Sequence, residues 1–168
     1  MLKVRPLLDQ AFFLPFAWVY SKNQGEMTTE FRVKVLDLGD DDELLYYQIY
    51  LSNGWQSTTL EFYAYDDAFV EFGSELVDFP RSIDSKLALQ VGKDNSEWAY
   101  YLLLEVFCYE PNGASLISVK VKNFGKPPIS HSCEFYITSI PAALNRLGRG
   151  LKGWNPKNTK EYNWGIDD

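Results

Sequence analysis

Two tight-turn signals, each set between runs of alternating apolar and polar residues, predict an α+β fold for this chain. The first is Asn53-Gly54, between LLYYQIYLS and TTLEFYAY; the second is Pro111-Asn112-Gly113, between EWAYYLLLEVFCYE and SLISVKV. Two amphipathic stretches, DAFVEFGSELVDF and the run after Ser139, add two helices. The expected architecture is a mainly antiparallel, strongly twisted β-sheet of about six to eight strands with two helices. No linker, repeat or low-complexity segment interrupts it, so one domain over 1–168 is expected. It divides into an amino-terminal arm or edge strand (1–27), a core (28–151) and a tail (152–168).

The run from Glu97 to Val121 is the centre of the pattern. Trp98, Tyr100, Leu102, Leu104, Val106 and Cys108 share one face, and Ile117, Val119 and Val121 return on it after the turn. The second face is also mostly apolar, which places this strand mid-sheet and covered on both sides. Upstream, AFFLPFAWVYS (11–21) is apolar, and Pro15 confines it to an edge strand or a packed arm. TTEFRVKVLDL (28–38) sets Phe31, Val33 and Val35 against Glu30, Arg32 and Lys34, a strand with one buried face. In the first hairpin Tyr47, Ile49 and Leu51 should face the same way as Leu60, Phe62 and Ala64. Tyr46, Gln48, Tyr50, Glu61, Tyr63 and Tyr65 then make a tyrosine-rich outer face.

The first helix is expected at about 67–79, capped by Asp66 or Asp67. Its stripe is Phe69, Phe72, Leu76 and Phe79, with Gly73 allowing close approach to the sheet. A strand at 86–91 leads to the central hairpin, and 131–138 turns Cys133, Phe135 and Ile137 inward. Thr138 or Ser139 should cap a helix from about 140 to 151, with Ile140, Leu144, Leu147 and Leu151 buried. Gly148, Gly150 and Gly153 suggest that it ends early or frays. The last stretch reads as a polar tail carrying Trp154, Tyr162 and Trp164.

Aromatic residues reach 16% of the chain, with 11 Tyr and 11 Phe, and favour strands. The net charge of -7 is lopsided: residues 1–80 carry 5 Lys and Arg against 14 Asp and Glu, whereas 81–168 carry 11 against 9. Such a balance repels phosphate, so neither nucleic acid nor an anionic membrane is an expected partner. Asp9, Gln10 and Pro15 break the apolar run that follows Lys3 and Arg5, so no leader peptide is read there. No run approaches the length of a membrane span. Cys108 and Cys133 fall on apolar strand faces and read as free thiols of a cytoplasmic protein.

The chain carries no recognisable catalytic motif. One His and two Cys argue against zinc. The acids of GDDDE (39–43) lack the spacing of a calcium loop, so no metal or cofactor is expected. His131 and Cys133 share strand parity but read as a strand-end His and a core thiol. Glu61, Glu105 and Glu134 read as surface acids, with Glu105 partly buried and paired to Lys120 across the hairpin. No glycine-rich phosphate loop is present. The tyrosine face is expected to be covered by a helix or a subunit, with a protein partner or a sugar as the functional readings.

The order of elements in STTLEFYAYDDAFVEFGSELVDFP, LALQVG, WAYYLLLEVFCYEPNGASLISVKVKN and EFYITSIPAALNRL resembles bacterial toxin-immunity proteins of the WapI kind, over about residues 28–151. That resemblance implies a cytoplasmic, non-enzymatic protein that binds a cognate toxin and occludes it. Many such toxins are basic nucleases, which would suit an acidic chain. Under it, Asp40, Asp41 and Asp42 would steer encounter while Tyr46, Tyr50 and Trp55 anchor the complex. The alternative is a carbohydrate or small-ligand binding module using the tyrosine face.

Overall fold

A computed structural model describes residues 28–39 and 44–165, so the 1–27 arm and the acids at 40–43 lie outside the described residues. The strands are β1 (Thr29–Asp37), β2 (Leu44–Asn53), β3 (Ser57–Tyr65), β4 (Lys86–Gly92), β5 (Tyr100–Cys108), β6 (Ser115–Asn123), β7 (His131–Ser139) and β8 (Glu161–Gly165). The helices are α1 (Val70–Leu76), between β3 and β4, and α2 (Pro141–Gly153), between β7 and β8. The fold is α+β, as expected. The strands divide over two four-stranded antiparallel sheets, ordered β3-β2-β1-β8 and β4-β5-β6-β7.

The alternation in the sequence sets the register. Tyr47 faces Phe62 and Ile49 faces Leu60 across β2–β3, while Leu104 faces Val119 and Val106 faces Ile117 across β5–β6. These side chains, with Phe31, Val33 and Val35, are buried in a cluster that takes in both sheets and both helices. Gly113 closes the second hairpin with φ 90° and Gly54 the first with φ 86°, backbone that glycine adopts without strain. The stretch read as a tail supplies β8, which pairs with β1 so that Trp164 lies opposite Phe31 and is buried. Its indole N–H donates to the Ala143 carbonyl at 3.1 Å. Trp164 and Tyr162 alternate with polar residues too briefly for the strand to stand out from the sequence.

α1 is shorter than its stripe suggested, although Phe69, Phe72, Leu76 and Phe79 are all buried. Its ends are tight i→i+3 turns: Ala68 N–H donates to Tyr65 and Phe79 N–H to Leu76, both at 3.2 Å. No aspartate caps it, because the Asp66 carboxylate is drawn instead to Lys157 at 2.7 Å. α2 does not fray at its glycines; it runs through Gly148 and Gly150 to Gly153. It begins at Ile140 without a side-chain cap, and Ile140 itself is exposed, so the buried side is Ala143, Leu144, Leu147 and Leu151.

Gly73 faces α2 rather than a sheet. A Cβ there would lie 2.6 Å from the Lys152 amide nitrogen, and one on Gly148 would lie 2.7 Å from the Gly73 carbonyl oxygen. Gly150 lies beneath Tyr162, whose hydroxyl would be 2.1 Å from an added Cβ. Asn145 on α2 donates to the Leu76 and Phe79 carbonyls at 3.0 and 2.7 Å, satisfying the end of α1.

Alanine is the better helix former by about 1 kcal/mol, but overpacking a closed contact costs roughly 1–3 kcal/mol. The contact at Gly148 is with backbone, which cannot swing aside. Gly148→Ala should therefore lower stability by about 1–3 kcal/mol in urea titration. Gly153→Ala, with nothing within 4 Å of its added Cβ, should leave the midpoint unchanged or raise it slightly.

Candidate functional site

The most distinctive surface is the outer face of β1, β2 and β3. Even-numbered residues of β2 and odd-numbered residues of β3 point outward there, and no described element covers them. Tyr63 and Tyr65 are 54% and 57% exposed, and Tyr46 and Tyr50 are half-buried. Tyr46 stacks on its cross-strand neighbour Tyr63, with ring centroids 4.7 Å apart. The Tyr46 hydroxyl donates to the Glu61 carboxylate, whose other oxygen accepts from Gln48 at 2.9 Å. The Arg32 guanidinium lies 5.0 Å from the Tyr50 ring centre and 3.0 Å from Glu30. The Tyr46, Tyr63 and Tyr50 rings are thereby each held by a neighbour.

Trp55 lies beyond the end of this face and is 74% exposed. Its backbone is fixed while its indole is free. The Asn53 side-chain oxygen accepts the Trp55 and Gln56 amides at 2.9 and 2.8 Å, and its nitrogen donates to the Tyr136 carbonyl on β7 at 2.9 Å. Tyr136 is itself half exposed, and its backbone carbonyl ties the turn to the second sheet.

The six residues singled out in the sequence fare unevenly. Asp40, Asp41 and Asp42 lie outside the described residues. Tyr46 and Tyr50 share the outer face, four residues apart, and Trp55 lies at the far turn. At about 3.3 Å per residue, Tyr46 to Asn53, the strand end beside Trp55, spans roughly 23 Å. A standard interface of about 800 Å² per partner is that wide, whereas a small ligand is not. Tyr63 and Tyr65 belong with the site, and their parity with Tyr46 across the hairpin was the signal for it. The Asn53–Tyr136 contact had none, since it depends on how the two sheets meet. The hollow beside the tyrosines, between Arg32, Lys34, Gln48, Tyr50, Thr59 and Glu161, measures about 180 Å³. Ligand pockets are typically about 300–1,000 Å³.

The remaining candidates do not converge. His131 is exposed, with Nδ1 3.2 Å from the Ile129 carbonyl, and Cys108 and Cys133 are free thiols. Glu61 lies on one sheet, Glu105 and Glu134 on the other. Glu105 is exposed and registers with Ser118, so the expected pairing with Lys120 does not form. Lys120 and Lys122 turn instead to Asp94, at 3.4 and 2.6 Å, and the hydrogen bond from Lys122, then that from Lys120, holds the Asp94 carboxyl below its ordinary pKa. The second face of β5 is likewise not covered throughout: Tyr101 is buried, Leu103 and Phe107 are half-buried, and Glu105 meets solvent. Among the described residues no three His, Cys, Asp or Glu side chains are grouped to hold a metal, and no helix is long and apolar enough to cross a membrane.

No family model, curated protein or solved structure matches the chain.

The hydrogen bond to Glu61, with burial second, raises the Tyr46 pKa to about 12. The folded protein then holds this proton more tightly than the unfolded chain, whose tyrosine titrates near 10. The stabilisation is complete below about pH 10 and is lost as pH rises toward 12. Glu61→Gln should bring the Tyr46 phenol back toward the ordinary value, read as an earlier rise in tyrosinate absorbance on alkaline titration.

Proposed function

We propose that this chain is a non-enzymatic binding protein that blocks a basic partner polypeptide through the outer face of β1–β3 and the Trp55 turn, as the resemblance to immunity proteins implies. The observation that carries this reading is the row of tyrosines that no described element covers, most of them held by neighbours, with Trp55 at its far turn. Contiguous exposed aromatic surface on a soluble domain marks an interaction site. Tyr and Trp are also the residues that dominate binding energy when a partner desolvates them. The shallow hollow beside them favours a protein over a sugar or other small ligand.

The mechanism is occlusion. The acidic half of the chain, Asp40, Asp41 and Asp42 included, raises the encounter rate with a basic partner, and the aromatic anchors slow its release. A cytoplasmic location belongs to the same reading, since the partner would be met before it reaches its target.

Immobilised protein should retain a basic polypeptide at low salt, and co-expression of this chain should relieve the growth defect that polypeptide causes. Trp55→Ala and Tyr63→Ala should each weaken the complex about tenfold or more, as hot-spot truncations do. Neutralising Asp40, Asp41 and Asp42 together should slow association and flatten its salt dependence. A complex indifferent to the aromatic substitutions would remove this face from the interface. A growth defect that persists would overturn the immunity reading.

A further inference from the structure

Each sheet edge presents backbone groups that another strand can take up, and folded proteins blunt such edges. Three of the four edges are short or have a hydrogen bond placed on them. On β3 the Tyr100 hydroxyl both accepts from the Tyr63 amide, at 3.2 Å, and donates to its carbonyl, at 3.0 Å. On β7 the Tyr136 carbonyl takes the Asn53 side chain. β8 is five residues long. β4 is different.

The Cys108 amide donates to the Ser85 carbonyl at 3.3 Å, so Ser85 and Cys108 form a hydrogen-bonded antiparallel pair. The ladder alternates from there, so Lys86, Ala88 and Gln90 turn their N–H and C=O groups away from β5. Among the described residues no hydrogen bond reaches those groups. All three side chains are exposed.

Two hollows, of about 390 and 400 Å³, lie along this edge beneath α1. Glu71 and Glu75, one helical turn apart, line both, so the two read as one trough. Leu87, half-buried, lines the first hollow and Leu89, buried, backs the second, while the lining of both is mainly polar. Neither glutamate makes an ion pair among the described residues. Arg81 and Lys86 stand at one end only, leaving the Ala88–Gln90 half acidic.

We propose that the outer edge of β4, together with the trough under α1, is a strand-addition site for an extended basic segment of a partner polypeptide. An added strand would pair with the free groups of Lys86, Ala88 and Gln90. Every second side chain would point into the trough, where lysine or arginine meets Glu71 and Glu75. A second copy of this chain is the poorer occupant, because its own β4 would bring a second Glu71 and Glu75 toward the first pair. This site is on the other sheet from the tyrosine face and does not depend on it.

The test is fluorescence anisotropy with a labelled octapeptide in which lysine and valine alternate, its ends blocked. Saturable binding is expected at low salt, weakened at least tenfold by Glu71→Lys with Glu75→Lys. Ala88→Pro, which removes an outward donor without touching the β5 ladder, should weaken it equally while the melting curve is retained. A peptide of the same charge with its two central valines replaced by proline should bind at least tenfold more weakly, and this arm needs no variant protein. Absence of saturable binding, or equal binding of the proline peptide, would overturn strand addition. A dimer in sedimentation that the peptide splits would overturn the partner assignment in favour of a second copy.

Discussion

The contact between Gly73 and Gly148 decides where everything else lies. With no Cβ on either residue, α1 and α2 meet backbone to backbone, and Asn145 ties the end of one to the side of the other. The joined pair then spans the molecule from edge to edge. α1 lies against β4 at the border of one sheet, and α2 carries β8 at the border of the other, through Trp164 on Ala143 and Tyr162 on Gly150. A larger side chain at the crossing would part the helices, and the two sheet borders they hold would part with them.

That placement also decides what is left bare. Both helices are spent on the inner faces, where Leu76, Leu144, Leu147 and Leu151 join the strand residues in the core. No described helix is left to roof either outer face. A tyrosine-rich strand face is ordinarily the underside of a helix layer, and here the only two described helices lie on the opposite side of the sheet. The same placement leaves the trough between α1 and the β4 edge open.

The local pattern was legible wherever one physical rule governed it. Alternation set the faces of β1, β2, β3, β5 and β6, and the turn residues placed both hairpins, since burial of one strand face leaves only one register open. Legibility failed where the deciding contact is distant in the chain. The glycines of α2 read as helix weakness because their reason, the α1 backbone and the Tyr162 ring, lies elsewhere in the sequence. Ile140 fell on the apolar stripe but precedes the first helical turn, so the stripe does not carry it inward. Glu105 looked half-buried amid apolar neighbours, yet those neighbours on its own face include Leu103 and Phe107, themselves only half covered. Tyr46 and Tyr50 were legible as one face, whereas the hydrogen bond from Asn53 to the Tyr136 carbonyl required the packing of two sheets.

The proposed binding face gains from being built on strands. A tyrosine on a mobile loop loses backbone as well as side-chain freedom when it is captured, and that loss subtracts from affinity. Here β2 and β3 fix the backbone, and Tyr46 is further held between the Tyr63 ring and the Glu61 carboxylate. Trp55 is on a turn, but Asn53 pins both its amide and its neighbour's, so only the indole has freedom to lose. Rigid aromatic anchors of this kind supply contact area at low entropic cost. Charge plays a separate part: the described outer face mixes Glu30, Glu61 and Glu161 with Arg32 and Lys34 and is close to neutral. Steering must then come from acids off this face, and the affinity of the proposed complex should follow its tyrosines while its rate of formation follows the aspartates.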